Sequence, residues 1–242
     1  QGALDARLHE GKQFGEGGDG TINGAASALR DSDVALGIVP CGSGNGLARH
    51  LGIPLNVKKA LNIINADKVE ALDYCMLNDT AFVCTCGMGF DAVVADSFAR
   101  KSRRGPITYV RTAITEYFTF KPTHYRIEID GKELEVDAFV VACANAAQYG
   151  NNAFISPHAS MQDGLLDVVV MTPFHRLESP IMGLDLFTKR LDKNTHVSIY
   201  RTRRVVIHRP EPAVMHVDGE PLMMPADLTV TCHPAAIKMF IP

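Results

Sequence analysis

The chain has 242 residues, 46% hydrophobic and 21% charged, which allows one large or two modest domains with a sizeable buried core. A net charge of -3 gives no overall positive field to draw in nucleic acid, so any anion site must be local. No uncharged apolar run reaches the roughly 18 to 20 residues of a bilayer-spanning helix, and the six cysteines sit mostly in apolar runs without a Cys-x-x-Cys pair, which predicts reduced thiols in a cytoplasmic setting.

The opening "QGALDARLHEGKQF" is polar and lacks a signal-peptide core. Because it starts on Gln1, an earlier segment is expected to be missing. After the glycine cluster of "GEGGDGTINGAASAL", Ile22, Ala25, Ala26 and Leu29 follow helical spacing, with Thr21 as a candidate cap. "DSD" at 31–33 breaks that pattern, and "VALGIVP" reads as a buried strand stopped by Pro40. A second glycine loop, "CGSGNG", leads into a short helix ended by Gly52 and Pro54. Asn56 then opens a helix with its stripe on Val57, Ala60, Leu61 and Ile64. Alternating helix and strand predicts an α/β domain with a parallel sheet over residues 1–69.

From residue 70 to 242 the texture becomes β-rich. "AFVCTCG", "HYRIEIDGKELEVDAFVVACA", "LLDVVVM", "RRVVIHR" and "DLTVTCH" read as largely antiparallel strands, interrupted by helical stretches near 90–120 and 174–191. Cys84 and Cys86 have no matching Cys/His pair for a zinc site. The nine histidines show no metal-binding spacing.

Residues 15–20 satisfy G-x-G-x-x-G in form, but "LHEGKQF" does not read as the apolar strand a dinucleotide loop should follow, and no Walker A loop is present. Two glycine loops remain, each leading into a helix. Glycine lets backbone amides approach a phosphate chain, helix N-termini favour its charge, and Thr21, Asn23, Ser43 and Asn45 add polar groups. Asp19 would repel bare phosphate and makes most sense holding Mg²⁺ against it. Two tight βα turns with capping residues remain the simpler explanation.

"GGDGTIN" followed by "GIVPCGSGNGLAR" resembles the catalytic domain of the diacylglycerol and sphingosine kinase family of lipid kinases, related in fold to NAD kinases and phosphofructokinases. The likeness continues in "GMGFDA", "QDGLLDVVVM" and "HVDGEP", whereas the family's first strand and Asn-Pro loop are not found before Gly15. The resemblance implies an NAD kinase/phosphofructokinase-like α/β nucleotide-binding domain, incomplete at its start, followed by an antiparallel β-rich, sandwich-like domain with two or three helices.

It further implies ATP bound by Gly17, Gly18, Asp19, Gly20, Thr21, Asn23, Gly42, Ser43, Gly44 and Asn45. Glu220 would be the proton acceptor and Asp218 its support, although on the residues alone Asp218-Gly219 reads as a hairpin turn, as Asp130-Gly131 does. A Mg²⁺ site is implied at Asp163 with the carbonyls of Ser160 and Leu165, while Asp167 could instead be an outward-facing strand residue. Asp91 reads first as a helix N-cap and second, with Arg49, as a lipid contact.

The implied acceptor is a membrane lipid alcohol, diacylglycerol first. Ser43 also resembles the sphingosine and ceramide kinase spelling, so sphingoid bases stay open. An NAD kinase-like enzyme with a soluble substrate stays open too, as does a non-catalytic nucleotide-binding module. The basic runs at 100–105 and 201–204 read as solvated faces, or as sites of peripheral contact with anionic lipid. A homodimer is allowed for; no nucleic-acid partner is expected.

Overall fold

The computed structural model describes residues 12–17, 19–101 and 106–242. Its N-terminal part begins with β1 (Lys12–Gly17), followed by α1 (Asp19–Leu29), β2 (Ala35–Pro40), α2 (Gly46–His50) and α3 (Val57–Asn65). All six residues of β2 are buried, as befits a parallel strand covered on both faces. Asn56 caps α3 by accepting a hydrogen bond from the Lys59 amide at 3.2 Å.

Two local expectations are corrected here. The stretch before the glycine motif does contain a strand: β1 runs parallel to β2 in register from Lys12–Ala35 to Gly17–Pro40. Its polar sequence hides it, because its hydrogen bonds come from β2 rather than from an alternating apolar face. Helix α1 also starts at Asp19, so Thr21 lies in its first turn and is not the cap. Gly18 and residues 102–105, including Arg103 and Arg104, lie outside the described residues.

The rest of the chain builds β3 (Val69–Leu77), β4 (Thr80–Phe82), β5 (Thr85–Gly89), α4 (Phe90–Ala99), α5 (Pro106–Tyr117), β6 (Thr123–Ile129), β7 (Lys132–Ala138) and β8 (Val140–Ala144). A small pair, β9 (Gln148–Gly150) and β10 (Ala153–Phe154), precedes β11 (Leu166–Met171) and α6 (Ser179–Phe187). The chain closes with β12 (Val197–Thr202), β13 (Arg204–His208), β14 (Ala213–Val217), β15 (Glu220–Met224) and β16 (Asp227–Phe240).

One sheet runs β1-β2-β16-β13-β6-β7, with β3 also on β16 and β4 on β3; the other runs β12-β11-β8-β5-β14-β15. Their facing sides share a core that includes Phe82, Met88, Tyr125, Ile127, Val168 and Val205. The outer face of the second sheet is covered by a further layer in which Phe139, Val169, Met171 and Met182 pack with Phe90, Tyr117, Phe120 and Phe174. An antiparallel sandwich with a helical layer on one side is the result.

The expected boundary after residue 69 falls beside β3, yet the sheet is continuous across it. Strand β16 pairs antiparallel with β3, bends between His233 and Ile237 where Ala235 has φ 54°, and ends parallel to β2 at Lys238 and Met239. The last strand thus ties the α/β part to the sandwich. Asp167 is corrected as well: it is buried, accepting hydrogen bonds from Ser156 Oγ at 2.5 Å and Arg201 Nε at 3.1 Å. Burial of an acid on β11 is tolerable because Arg201 neutralises it.

Candidate active site

Asp19 opens α1, and its Oδ1 accepts a hydrogen bond from the Gly46 amide at 2.7 Å, at the start of α2. The two glycine motifs are therefore clasped together by one carboxylate. Burial raises the Asp19 pKa, partly offset by the amides of Gly46, Leu47 and Asn45. A β-carbon added at Gly44 would stand 2.7 Å from Asp19 Oδ2, so glycine is required for this approach.

The second loop is held from within. Asn45, at φ 49°, accepts from the Gly42 amide at 2.9 Å and donates to the Gly42 carbonyl at 2.6 Å. Arg49 turns back to donate to the Gly44 carbonyl at 3.1 Å, so its head group braces the loop. Ser43 stays exposed at the tip, and Thr21 is half-buried in the first turn of α1. Asn23 accepts from Ser27 one helical turn on.

The C-terminal carboxylates arrive on the β14–β15 hairpin. Asp218 and Gly219 have φ 48° and 84°, and Asp130 and Gly131 between β6 and β7 have 49° and 75°, so both pairs make the same left-handed two-residue turn. Their side chains meet different surroundings. Among the described residues Asp130 accepts from Thr202 Oγ1 alone, at 2.8 Å, whereas Asp218 accepts from the Val83, Cys84 and Thr85 amides at 2.9, 2.8 and 2.8 Å. Burial pushes Asp218 up to about 6, against the pull of those three amides, and the Asp19 charge adds to the rise.

Held by Asp218, the turn delivers Glu220 to the first glycine motif. A β-carbon at Gly20 would overlap the Glu220 carboxylate at Oε1. Asp19, Gly20, Gly44, Asp218 and Glu220 are thus brought to one place, although some 200 residues separate the ends of that set.

Asp91 lies beside this group, in the first turn of α4 and buried; Gly89 is the cap residue, which corrects the N-cap expectation. Asp91 Oδ1 accepts from the Ala92 amide at 2.7 Å, and Oδ2 accepts from Tyr149 Oη at 2.9 Å and faces His216 Nε2 at 3.0 Å. Because a carboxylate only accepts, His216 carries its proton on Nε2. Gly87, opposite His216 in the β5–β14 pairing, has no room for a side chain, since a β-carbon there would overlap both Asp91 and His216. Burial, and then the Asp91 charge, drive the Tyr149 pKa well above the usual tyrosine range.

The turn at 160–165 makes its own set of contacts. Asp163 is exposed and its Oδ1 accepts from the Leu165 amide at 3.0 Å, while Ser160 Oγ accepts from the Gln162 amide at 3.2 Å. Among the described residues no three His, Cys, Asp or Glu side chains gather as a metal cluster, so a cation here would depend on backbone carbonyls beside Asp163. Buried Asp73 anchors the turn, accepting from the Gly164 amide at 2.7 Å and from the Ala235 amide in the β16 bend at 2.8 Å.

Asp73, Tyr149 and His216 escaped the sequence reading. None sits in a spacing that marks it, and each gains its role from strand register alone. Of the basic runs, Arg100 pairs with Asp96 at 2.6 Å and Arg201 with Asp167, while Arg204 shares a shallow surface hollow with Glu128, Asp130 and Glu133. Within the 201–204 run, Arg203 and Arg204 are exposed, as a solvated face would have them.

The donor set fits a magnesium nucleotide in chemical kind: two glycine-rich motifs joined by the Asp19 carboxylate, with the Thr21 hydroxyl on the first and the exposed Ser43 hydroxyl on the second. The diacylglycerol kinase catalytic domain is matched over residues 15–77, and the YegS C-terminal NAD kinase beta sandwich-like domain over residues 84–241. An uncharacterized protein of Synechocystis sp. is 30% identical over 244 residues, covering 96% of this chain, which spans only 56% of that protein's length. A diacylglycerol kinase of Mycobacterium tuberculosis is 29% identical over 238 residues, covering 93% of this chain and 75% of its own. The crystal structure of a diacylglycerol kinase from Bacillus anthracis str. Sterne superposes with a TM-score of 0.72 at 21% identity, over 96% of this chain and 76% of that one, a likeness of fold. The chain belongs to the diacylglycerol kinase family of lipid kinases, with a C-terminal domain of the YegS type.

Proposed function

We propose that this chain carries the catalytic core of an ATP- and Mg²⁺-dependent kinase that phosphorylates the hydroxyl of a membrane lipid, diacylglycerol in the first instance. The observation that supports this most is the approach of Glu220 to Gly20, which sets a carboxylate from the end of the chain against the first glycine motif. The name of the Mycobacterium tuberculosis relative makes diacylglycerol the first acceptor to test.

Phosphoryl transfer to an alcohol asks the protein mainly for positioning, charge stabilisation and a group to take the hydroxyl proton. A bound magnesium nucleotide supplies the transferable phosphoryl group and neutralises its charge. On this chain Gly17 to Thr21, with Asn23, and Gly42 to Asn45 would hold it, with Asp19 as the carboxylate nearest both motifs. Glu220, exposed at the head of β15, would accept the proton of the acceptor hydroxyl. Asp218 would act through Glu220: its three amide bonds fix the turn and so the direction of the Glu220 side chain. The 160–165 turn, with Asp163 and the carbonyls of Ser160 and Leu165, is the position this reading gives to a second, structural Mg²⁺. Asp91 lies where the acceptor head group would meet the protein.

The test is phosphate transfer from labelled ATP to detergent-dispersed diacylglycerol, sphingosine and ceramide, and to NAD, by wild type and Glu220→Gln. Diacylglycerol is expected to be phosphorylated, and the variant to lose roughly 10² to 10⁴-fold in rate, the usual worth of a positioned general base. Phosphorylation of NAD with no lipid product would move the chain to a soluble substrate. ATP binding without any turnover would make it a regulatory module.

A further inference from the structure

Helices α5 and α6 turn apolar stripes outward. Val110 and Ile114 on α5, and Phe118 just after it, recur every four residues. Along the turn before α6 and α6 itself, Leu177, Ile181, Leu184 and Phe187 do the same at helical spacing, and across both stripes exposure runs from 51% to 81%. A helix packed on a sheet normally buries its apolar face and shows a polar one. Here the buried side is already satisfied by Met182, Leu186 and Tyr117, so the outer stripes are additional apolar surface. The stripes meet where the Arg176 guanidinium lies 5.7 Å from the Phe118 ring centroid and Tyr117 stacks on Phe174.

Charge around the stripes is one-sided. Segments 106–121 and 174–193 hold six Lys or Arg residues and four Asp or Glu, a surplus of +2 in a chain of net charge -3. Arg111, Lys121, Arg176, Lys189, Arg190 and Lys193 are all exposed. The four acids are half-buried and already engaged: Glu116 by Ser97, Glu178 by the His175 amide, Asp185 by Asn194 and Asp192 by His158. An apolar face with exposed cations on the same segments complements an anionic bilayer, where side chains enter the acyl boundary and ammonium and guanidinium groups meet lipid phosphates. A contact between two copies would instead favour few lysines at its centre and set like charges against each other.

We infer that the α5–α6 face docks the protein on anionic lipid bilayers. This rests on the lipid-kinase reading and gives it a direction of approach. Phe90 and Asp91 are consecutive: the Phe90 ring packs under the face, 4.6 Å from Phe139 and 6.0 Å from Tyr117, while Asp91 points to Tyr149 and His216 beside the cleft. Tyr109, on α5, packs edge-on against Phe98 of α4 with ring centroids 5.4 Å apart, so α5 lies along the helix that carries Asp91. A lipid with its tail in the bilayer thus has a short path to the cleft.

The experiment is co-sedimentation, without nucleotide, with phosphatidylcholine vesicles containing or lacking phosphatidylglycerol. Wild type should bind the anionic vesicles, more weakly as salt rises, and scarcely bind neutral ones. Ile181→Glu combined with Leu184→Glu should weaken binding at least tenfold, as should Ile114→Glu, with no change in thermal unfolding because all three side chains are exposed. Leu61→Glu, an exposed apolar residue on α3, is the control and should bind as wild type does.

Failure of wild type to sediment with anionic vesicles overturns the inference, as does undiminished binding by the α6 double variant. So does a wild-type dimer in analytical ultracentrifugation that the α6 substitutions dissolve, since the face would then belong to a second copy. Phosphorylation of detergent-dispersed diacylglycerol separates this from the kinase reading. The docking variants should retain it, and vesicle binding without any lipid phosphorylation would sink the kinase reading while supporting the docking face.

Discussion

Replacing Gly20 by alanine separates stability from chemistry in one step. Gly20 is in the first turn of α1 and is not among the residues with positive φ, so alanine fits its backbone. In a helix that exchange is worth about 1 kcal/mol in favour of alanine, which for a domain of this size raises Tm by about 2 to 4 °C. The new methyl group, however, would occupy the place of Glu220 Oε1. The obstacle is the free end of a flexible side chain on an exposed residue, so relief comes by swinging the carboxylate aside, at little cost to folding. A displacement on the order of 1 Å at a reacting group costs about 10²-fold in rate. Calorimetry and the rate of diacylglycerol phosphorylation, measured on the same preparation, should therefore move in opposite directions: Tm unchanged or higher, kcat down about a hundredfold. An unchanged kcat would refute the placement of Glu220 at the first glycine motif, and a fall in Tm of several degrees would show that the carboxylate is held too firmly to yield.

Other substitutions probe the supports. Asp218 has a folded pKa of about 6, above its unfolded value, so the folded state holds the proton more tightly, and its contribution to stability is present below roughly pH 4 and lost as pH rises through 6. At about 1.4 kcal/mol per pH unit the ceiling is about 3 kcal/mol, and urea unfolding should show wild type losing ground against Asp218→Asn between pH 4 and 6; parallel curves would contradict this. Asp73→Ala leaves the Gly164 and Ala235 amides without their acceptor and should cost about 2 to 6 kcal/mol, read from the urea midpoint. Tyr149→Phe and His216→Phe both remove a donor from Asp91 Oδ2, so a double-mutant cycle should show a coupling of about 0.5 to 3 kcal/mol, and strict additivity would place the two groups in separate environments.

Sequence spacing reveals what depends on near neighbours and misses what depends on register. The stripe of α1, the buried β2 and the alternation of β6 are each written in a few consecutive residues, and each formed where expected; α3 also formed, but only Ala60 and Ile64 of its expected stripe are buried, while Val57 and Leu61 face outward. Strand β1 was illegible because its partner, β2, lies a helix away and its own residues carry no alternating apolar face. The sharpest case is the pair of Asp-Gly turns. Backbone chemistry makes them identical, and no local pattern distinguishes Asp130 from Asp218. What differs is the neighbouring strand: β14 runs beside β5, so Asp218 reaches the amides that lead into β5, whereas the β6–β7 turn finds only Thr202 at the end of β12. A turn becomes part of a site when the sheet order brings unsatisfied amides to its carboxylate. The position of α1 relative to that turn depends in addition on β16, whose bend lets one strand pair with β13 and β3 of the sandwich and with β2 of the α/β part. Straightening that bend by deleting Ala235 would shift the register of Ile237 to Phe240 by one residue, exchange the faces on which Ile237 and Met239, and opposite them Phe240, are buried, and carry α1 and its glycine motif away from Glu220.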